Sequence, residues 1–304
     1  MRLVQFVLES GERRVGRLSG DTIVDVTNAS QGVRSVLDLI EWADREQADL
    51  TAALARLGAT NGASYSFASL DVAPQRGRPY LDLPLNPPEV WGCGVTYRKS
   101  AEFRDEETGQ PRGLYDYVYF AERPEIFFKA TAARCVGPNG PIGIRSDSRF
   151  TAPEPEVAVV VGSQGQILGY TVTDDVSAWD IERENPLYLP QSKIFAGCCA
   201  LGPSLVTPDE VGDPYGLTVI GRIRRGDQII FDDRVETSRI RRRIEELVGY
   251  LRRDNPIPAG TVVCTGTGVI VSAEHALQPG DIVEVEVPGL GLLRNVAMAL
   301  SSAG

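Results

Sequence analysis

The sequence is poor in the side chains that most often move protons near neutral pH. It contains one histidine, His275, and only three of its 31 basic residues are lysines, Lys99, Lys129 and Lys193. Because a lysine can lose its proton where an arginine cannot, these three lysines are candidates for reactive positions. His275 lies in the polar stretch SAEHALQPGD, which predicts a surface helix or loop without a catalytic role.

Other absences exclude whole classes of protein. The five cysteines show no C-x-x-C spacing, which argues against a zinc knuckle or a disulfide framework and predicts buried free thiols. No apolar run approaches the ~20 residues of a spanning helix, and the first residues lack the apolar core of a signal peptide, so we expect a cytoplasmic protein without a membrane partner. The net charge of -10 disfavours nucleic acid as a partner.

The periodicity of the apolar residues predicts two unequal parts. Strand-like and helix-like segments alternate over the first ~58 residues, and a proline-rich linker follows, so residues 1–85 are predicted to form a small N-terminal α+β domain and its linker. Strand patterns separated by short connections dominate residues 86–304, which predicts a mostly antiparallel, β-rich catalytic domain. The fold class is therefore α+β and rich in strands.

One helix is predicted within the second part, in SRIRRRIEELVGYLRRDNP. Its apolar side chains recur at helical spacing from Ile240 to Leu251, with arginines on the opposite face, and Pro256 marks its end. The arginines indicate a solvated face and not a binding patch.

Two glutamates interrupt the apolar stretch TAPEPEVAVVV. A strand rises ~3.3 Å per residue and turns alternate side chains to one face, so Glu154 and Glu156 share a face roughly 7 Å apart at their Cα atoms. One interpretation is a solvated edge strand, because Pro153 and Pro155 cannot donate to a ladder. The other is a site for a hard cation, with Asp175 after the strand ILGYTVT as a third carboxylate. Three carboxylates suit Mg²⁺, with Mn²⁺ or Ca²⁺ as alternatives.

Several longer motifs resemble a known family. PEPE, DDVSAWD, PLYLPQSKIFAGCCALGP and TGTG resemble the signature of the fumarylacetoacetate hydrolase superfamily, and RPEIFFKA, ENPLYLPQSKI and RDNPIPAGT are most similar to its 2-keto-3-deoxy-D-arabinonate dehydratase subgroup. The resemblance implies a fumarylacetoacetate hydrolase-like β-roll and a homodimer or homotetramer. It also implies that Glu154, Glu156 and Asp175 hold the metal and that Lys193 faces the substrate.

Two departures from the family pattern bear on the chemistry. Most members have an arginine where this chain has Trp179, so whatever that arginine anchors must be held otherwise. The hydrolase members also carry a lid histidine and a glutamate that activate water, and the histidine position matches Ser100. Glu102 or Glu106 can occupy a lid, but the usual acid–base dyad is missing without an imidazole.

The missing dyad favours dehydration over hydrolysis. Loss of a C4 hydroxyl needs a base and an acid but no activated water, so we expect a Mg²⁺-dependent hydro-lyase that converts a 2-keto-3-deoxy pentonate to 2,5-dioxopentanoate. A C–C bond hydrolase of a 2,4-dioxo acid and a non-catalytic binder of sugar acids are the alternatives. The small-molecule 2-oxo sugar acid is the expected partner.

Further residues are assigned to the expected reaction. Glu125 and Lys129 lie four residues apart in the strand RPEIFFKA and so share a face, either as a structural ion pair or as catalytic groups beside Lys193. Lys193 is expected to take the C3 proton or to steer the intermediate, with a Schiff base as a competing role. The substrate-binding residues are predicted to be Tyr97, Ser100 and Thr267.

The charged segment YRKSAEFRDEETGQPRG, residues 97–113, is predicted to be a mobile lid that closes on the substrate. In this interpretation Arg104 and Arg112 are accessible to proteases in the open state.

Overall fold

Strands form most of the regular structure of this chain. The computed structural model describes residues 1–58, 62–107 and 113–301, without the side chains of residues 105–107. The strands are β1 (Arg2–Val7), β2 (Arg13–Ser19), β3 (Thr22–Asp25), β4 (Ser64–Ser66), β5 (Tyr80–Leu81), β6 (Val90–Gly94), β7 (Glu125–Ala130), β8 (Cys135–Val136), β9 (Pro141–Ile144), β10 (Thr151–Ala152), β11 (Pro155–Val161), β12 (Ile167–Asp175), β13 (Ser177–Ala178), β14 (Cys199–Val206), β15 (Thr218–Arg225), β16 (Gln228–Glu236), β17 (Thr261–Cys264), β18 (Ile282–Val287) and β19 (Gly291–Ala299).

Short helices connect these strands. They are α1 (Val36–Arg45), α2 (Leu50–Arg56), α3 (Phe67–Leu70), α4 (Arg98–Glu107), α5 (Leu114–Phe120), α6 (Trp179–Glu184), α7 (Leu189–Lys193), α8 (Pro208–Val211) and α9 (Ile244–Arg252). Within the described ranges, none of these helices is long and apolar enough to cross a membrane.

Two sheets pack against each other and enclose the main core. The larger has twelve strands, in the order β4-β3-β2-β1-β14-β12-β11-β17-β6-β7, with β5 added to β1 and β8 to β14. The smaller has the order β16-β15-β18-β19-β9. Strands β11, β12 and β14 face β15, β18 and β19, and their buried valines and leucines belong to one apolar cluster. The predicted α+β, strand-rich fold is confirmed.

The N-terminal part shares the large sheet. Strand β1 pairs with β14 through Arg2 opposite Val206, and it also pairs with β2 and β5. Helix α1 begins at a capping box formed by Ser35 and Asp38. Because the sheet continues across the proposed boundary at residue 85, the division into two domains stays a prediction.

The helix that contains Leu247 is shorter than predicted. It begins at Ile244, so the expected start at Ile240 is wrong. Ile240 instead forms an isolated antiparallel bridge with Tyr97, and Arg242 donates hydrogen bonds to backbone carbonyls of residues 121 and 122. These tertiary contacts hold the backbone before residue 244 in extended geometry, which the apolar spacing alone does not reveal.

The predicted lid is helical on both sides of residues 108–112, which lie outside the described residues. Helix α4 carries Ser100 and Arg104, and the side chain of Glu106 also lies outside the description. Arg104 is 3% exposed, so its predicted accessibility to proteases is not met in this arrangement. His275 lies near the surface, where its Nδ1 is 2.9 Å from the Ser272 hydroxyl.

The prediction of buried free thiols is confirmed for the described chain. All five cysteines are free, and four of them are buried while Cys135 is half-buried.

Candidate active site

The pairing of β11 with β12 brings three carboxylates together. Pro155 lies opposite Asp174 in this antiparallel ladder, so Glu154 and Glu156 on one strand meet Asp175 at the end of the other. The junction is fixed by two further hydrogen bonds. The backbone N–H of Glu154 donates to the Asp174 carboxylate at 2.8 Å, and the N–H of Asp175 donates to the Glu154 carbonyl at 3.0 Å.

The carboxylates of Glu154, Glu156 and Asp175 form a compact, buried oxygen cluster. Each offers one oxygen within 4.8 Å of the others, and the residues are 3%, 2% and 1% exposed. Strand β11 lies between β12 and β17, so the alternative of a solvated edge strand is wrong. A buried set of three oxygen ligands fits a hard divalent cation such as Mg²⁺, which prefers carboxylates and keeps other coordination positions for water or substrate.

Glu156 is held by a glycine turn after β17. The N–H of Gly266 donates to Glu156 Oε2 at 2.7 Å. Gly266 has φ +93°, a left-handed conformation that favours glycine, and a Cβ there would overlap the Thr96 hydroxyl. Burial, followed by the charges of Asp175 and Glu154, raises the pKa of Glu156 well above its usual range. A divalent cation would remove that repulsion.

Lys193 and Lys129 enclose the carboxylate cluster. Lys193 Nζ lies 2.8 Å from Glu154 Oε1, 2.6 Å from the Ser177 hydroxyl and 3.5 Å from Asp175 Oδ2. Lys129 Nζ lies 2.5 Å from Asp175 Oδ1. Although burial opposes charge on both amines, the neighbouring carboxylates raise both lysine pKa values. In turn the two lysines lower the pKa of Asp175 against the effect of its burial.

Glu125 and Lys129 do not pair with each other. Strand β7 has an irregular register beside Lys129, whose charge is directed at Asp175. Glu125 instead lies 3.7 Å from Arg104, in space left by Gly94, where a Cβ would overlap its carboxylate. Burial raises the pKa of Glu125 more than the Arg104 charge lowers it. The protonated form of this carboxyl is therefore more stable than that of a solvent-exposed glutamate.

Arg104 is a site residue that the sequence interpretation missed. Its guanidinium enters from α4 and lies 3.2 Å from Glu182, 3.7 Å from Glu125 and 3.8 Å from Glu154. It also lies over the ring of Trp179 at 5.4 Å. Burial opposes its charge, but the carboxylates beside it raise its pKa, so the guanidinium stays charged.

Trp179 takes a direct part in the site. Its indole N–H donates to Glu154 Oε1 at 2.9 Å, so the same oxygen receives hydrogen bonds from Trp179 and Lys193. Two guanidinium groups lie over its ring, those of Arg104 from α4 and of Arg183 from its own helix. The departure from the family pattern at residue 179 indicated a local difference, but nothing in the sequence identified Arg104 as a site residue.

The three predicted substrate-binding residues are all buried, in different settings. Tyr97 and Ser100 are both 2% exposed at the start of α4. The hydroxyl of Thr267 donates to the Pro155 carbonyl at 2.8 Å and accepts from the Val269 N–H, which anchors the turn after β17 to β11. Contact of these residues with a substrate stays a prediction.

The comparisons with known proteins agree with the family resemblance. Residues 90–297 match the family model described as Fumarylacetoacetate (FAA) hydrolase C-terminal. A protein of Saccharolobus solfataricus named 2-dehydro-3-deoxy-D-arabinonate dehydratase is 52% identical over 213 residues, which are 69% of this chain and 72% of that protein. A Haloferax volcanii protein named probable 2-keto-3-deoxyxylonate dehydratase is 40% identical over 290 residues, 94% of this chain and 96% of the relative.

A solved structure resembles the whole chain. It is described as 2-keto-3-deoxy-D-arabinonate dehydratase complexed with magnesium and 2,5-dioxopentanoate. The likeness has a TM-score of 0.84 at 39% identity and covers 99% of this chain and 100% of the other.

Proposed function

Because this chain belongs to the fumarylacetoacetate hydrolase family, we propose that it is a magnesium-dependent dehydratase of a 2-keto-3-deoxy pentonate, with 2,5-dioxopentanoate as product. The observation that carries the proposal is the buried set of Glu154, Glu156 and Asp175 in a chain whose sole histidine lies elsewhere. The names of the two relatives and of the structural neighbour support the same reaction.

The three carboxylates would hold the magnesium ion. When bound, Mg²⁺ acts as a Lewis acid that polarises the carbonyl of a 2-oxo acid and acidifies the neighbouring C3. Trp179 and Lys193 orient Glu154 from one side, and the Gly266 N–H orients Glu156 from the other. These contacts fix the oxygen atoms before a ligand arrives.

Glu125 is assigned to proton transfer. Dehydration removes a proton from C3 and hydroxide from C4, which together leave as one water molecule. A hydrogen must then move from C5 to C3, and the resulting enol becomes the C5 aldehyde. Burial raises the pKa of the Glu125 carboxyl, so it can donate a proton to the departing hydroxide and afterwards accept one as a carboxylate.

We assign Lys193 to electrostatic stabilisation of the negative charge at the end of the substrate that faces the carboxylate cluster. Its contacts with Glu154, Ser177 and Asp175 favour the ammonium, which is a weak base and a poor nucleophile. This assignment differs from the expectation that Lys193 takes the C3 proton. Lys129 is assigned a matching role on the other side of Asp175, because its amine contacts Oδ1 whereas that of Lys193 lies near Oδ2.

We further propose a cytoplasmic homodimer or homotetramer with two domains, residues 1–85 and 86–304. The side chains of Tyr117, Phe120 and Leu187 support assembly, because they are 72%, 52% and 84% exposed and apolar surface of this kind is commonly covered by a partner.

A substrate panel tests the function. The protein is incubated with 2-keto-3-deoxy sugar acids and with a 2,4-dioxo acid, with magnesium or after chelation, and the products are identified by mass spectrometry. We expect 2,5-dioxopentanoate from a pentonate only when magnesium is present. Release of a carboxylic acid from the 2,4-dioxo acid would identify the hydrolase alternative, and no turnover with any substrate would indicate a binder.

Two variants accompany the panel. Glu156→Gln keeps the shape of a metal ligand without its charge and is expected to abolish turnover in a protein that still folds. Glu125→Gln is expected to lower kcat by about 100-fold or more, the usual contribution of a positioned acid or base. Full activity of the Glu156 variant after thorough chelation would contradict the metal requirement. Full turnover by the Glu125 variant would show that Glu125 does not transfer a proton in the reaction.

A further inference from the structure

A small cavity is lined by Glu125 and Glu182, the two carboxyl groups that share Arg104 with Glu154. Its volume is about 190 Å³, well below the roughly 300 Å³ at which pockets for drug-sized ligands begin, so it suits a chain of a few heavy atoms. The cavity lies between α5, β7, α6 and α7, and its lining residues are Leu114, Tyr115, Val118, Glu125, Glu182, Pro186 and Leu189. Its walls are thus mostly apolar, with two carboxyl groups among them.

Both carboxyl groups present an acceptor that the described residues leave without a hydrogen bond. Oε2 of Glu182 and Oε2 of Glu125 are buried and have no hydrogen-bond partner among the described side chains and backbone, and both residues line the cavity. The side chain of Glu182 is only 5% exposed. Because a buried acceptor without a donor is unfavourable, these oxygens indicate a ligand that brings hydroxyl groups.

The cavity is within reach of a substrate bound at the carboxylate cluster. The guanidinium of Arg104 spans the two places, since NH1 lies 3.2 Å from Glu182 and NH2 lies 3.8 Å from Glu154. A five-carbon 2-oxo acid whose C1 and C2 oxygens face Glu154 would therefore extend its C4 and C5 end toward Glu182.

We propose that Glu182 determines specificity by accepting a hydrogen bond from the distal hydroxyl of the substrate and by rejecting a carboxylate in that place. The inference rests on the proposed function, which supplies the 2-oxo acid end. A hydroxyl donates to the free oxygen of Glu182. A second carboxylate would bring an acceptor against an acceptor and a negative charge against a buried one, and the single charge of Arg104 is already shared by three glutamates.

Two ligands of equal length test this proposal without turnover. 5-Hydroxy-2-oxopentanoate and 2-oxoglutarate differ only at C5, where one has a hydroxyl and the other a carboxylate. Neither has a C4 hydroxyl to lose. Their affinities are measured by calorimetry in the presence of magnesium for the parent protein, for Glu182→Gln and for the control Glu184→Gln, since Glu184 lies exposed on the same helix.

We expect the parent and the Glu184 variant to bind the hydroxy acid about 10- to 100-fold more tightly than 2-oxoglutarate, the range for one hydrogen bond to a charged group. The Glu182 variant should lose most of this preference through tighter binding of 2-oxoglutarate, because an amide can donate to a carboxylate. An unchanged preference in this variant, equal binding of both ligands by the parent, or binding of neither would each overturn the proposal.

A second variant at the same residue tests the proposal in case Glu182→Gln does not fold. Glu182→Asp keeps the charge but withdraws the carboxylate, so it should still reject 2-oxoglutarate while it binds the hydroxy acid less tightly. Acceptance of 2-oxoglutarate by this variant would overturn the proposal. If the parent prefers the hydroxy acid as expected but dehydrates no 2-keto-3-deoxy pentonate, the proposed function fails and the specificity of Glu182 stands.

Discussion

Replacement of Arg104 by methionine removes a guanidinium that faces Glu125, Glu154 and Glu182. Methionine keeps much of the aliphatic length, so the change isolates the charge and its hydrogen bonds. Three carboxylate oxygens lie 3.2 to 3.8 Å from the guanidinium nitrogens. Removal of one partner from a buried ion pair typically lowers the free energy of unfolding by about 3–5 kcal/mol, and we expect a loss in that range.

The loss should depend on pH in a defined direction. Without Arg104, the pKa of Glu125 rises further in the folded protein, because the positive charge that lowers it is gone. A carboxyl whose folded pKa lies above its unfolded value stabilises the protein at low pH, and that stability is lost as the pH rises through the folded value. The destabilisation of the methionine variant relative to the parent should therefore be larger at pH 8.5 than at pH 5.5.

Urea unfolding monitored by tryptophan fluorescence measures both effects, with chelator present so that metal binding does not contribute. Trp179 lies 5.4 Å from the Arg104 guanidinium and reports on the site. The control is Arg98→Met on the same helix, because the Arg98 side chain is 58% exposed and forms its ion pair with exposed Glu102. An exposed pair of this kind contributes little to stability. If the two variants unfold within about 0.5 kcal/mol of each other at pH 8.5, the assignment of Arg104 as a buried counter-ion is refuted.

Two further predictions concern the protonation of buried groups. Burial raises the pKa of Asp174 from 3.8 to about 8. Between these two pH values the folded protein therefore holds a proton that the unfolded chain has lost. As the pH rises, the free energy of unfolding of the parent should fall by about 1.4 kcal/mol per pH unit relative to that of Asp174→Asn. Urea unfolding of both proteins from pH 5 to pH 8 measures this slope, and parallel curves would show that Asp174 is ionised in the fold. After borohydride treatment with a 2-oxo acid, mass spectrometry should show an unchanged mass for the peptide that contains Lys193, because Glu154 and Ser177 hold its amine as an ammonium. A stable adduct on this peptide would assign Lys193 to an imine mechanism.

The metal cluster was predictable because its residues break a local pattern. Glu154 and Glu156 interrupt an apolar run at strand spacing, and Asp175 ends the next strand, so their convergence follows once β11 and β12 form a hairpin. Lys193 was found by its rarity, since an arginine-rich chain retained only three lysines.

Residues whose role depends on the packing of distant elements gave no such signal in the sequence. Arg104 is one of many arginines in a charged segment, and only the position of α4 against the sheet makes it buried. Glu182 lies on a short helix among other charged residues, and its role depends on the cavity beside it. Strand β14 also escaped sequence interpretation, because Gly202 and Pro203 in its middle are typical of turns.

Strand β17 has a consequence for how the site is assembled during synthesis. It pairs antiparallel with β11 through Cys264 opposite Ala158, and parallel with β6 through Cys264 opposite Gly92. It is the strand that joins the half of the sheet carrying the metal carboxylates to the half that carries Glu125 on β7. A nascent chain that ends before residue 261 therefore contains every acidic residue of the site but lacks the bridge between them. The strands that carry Glu125 and the three carboxylates can join into one continuous sheet only after the ribosome has passed this late segment, so the sheet is completed after translation of most of the chain.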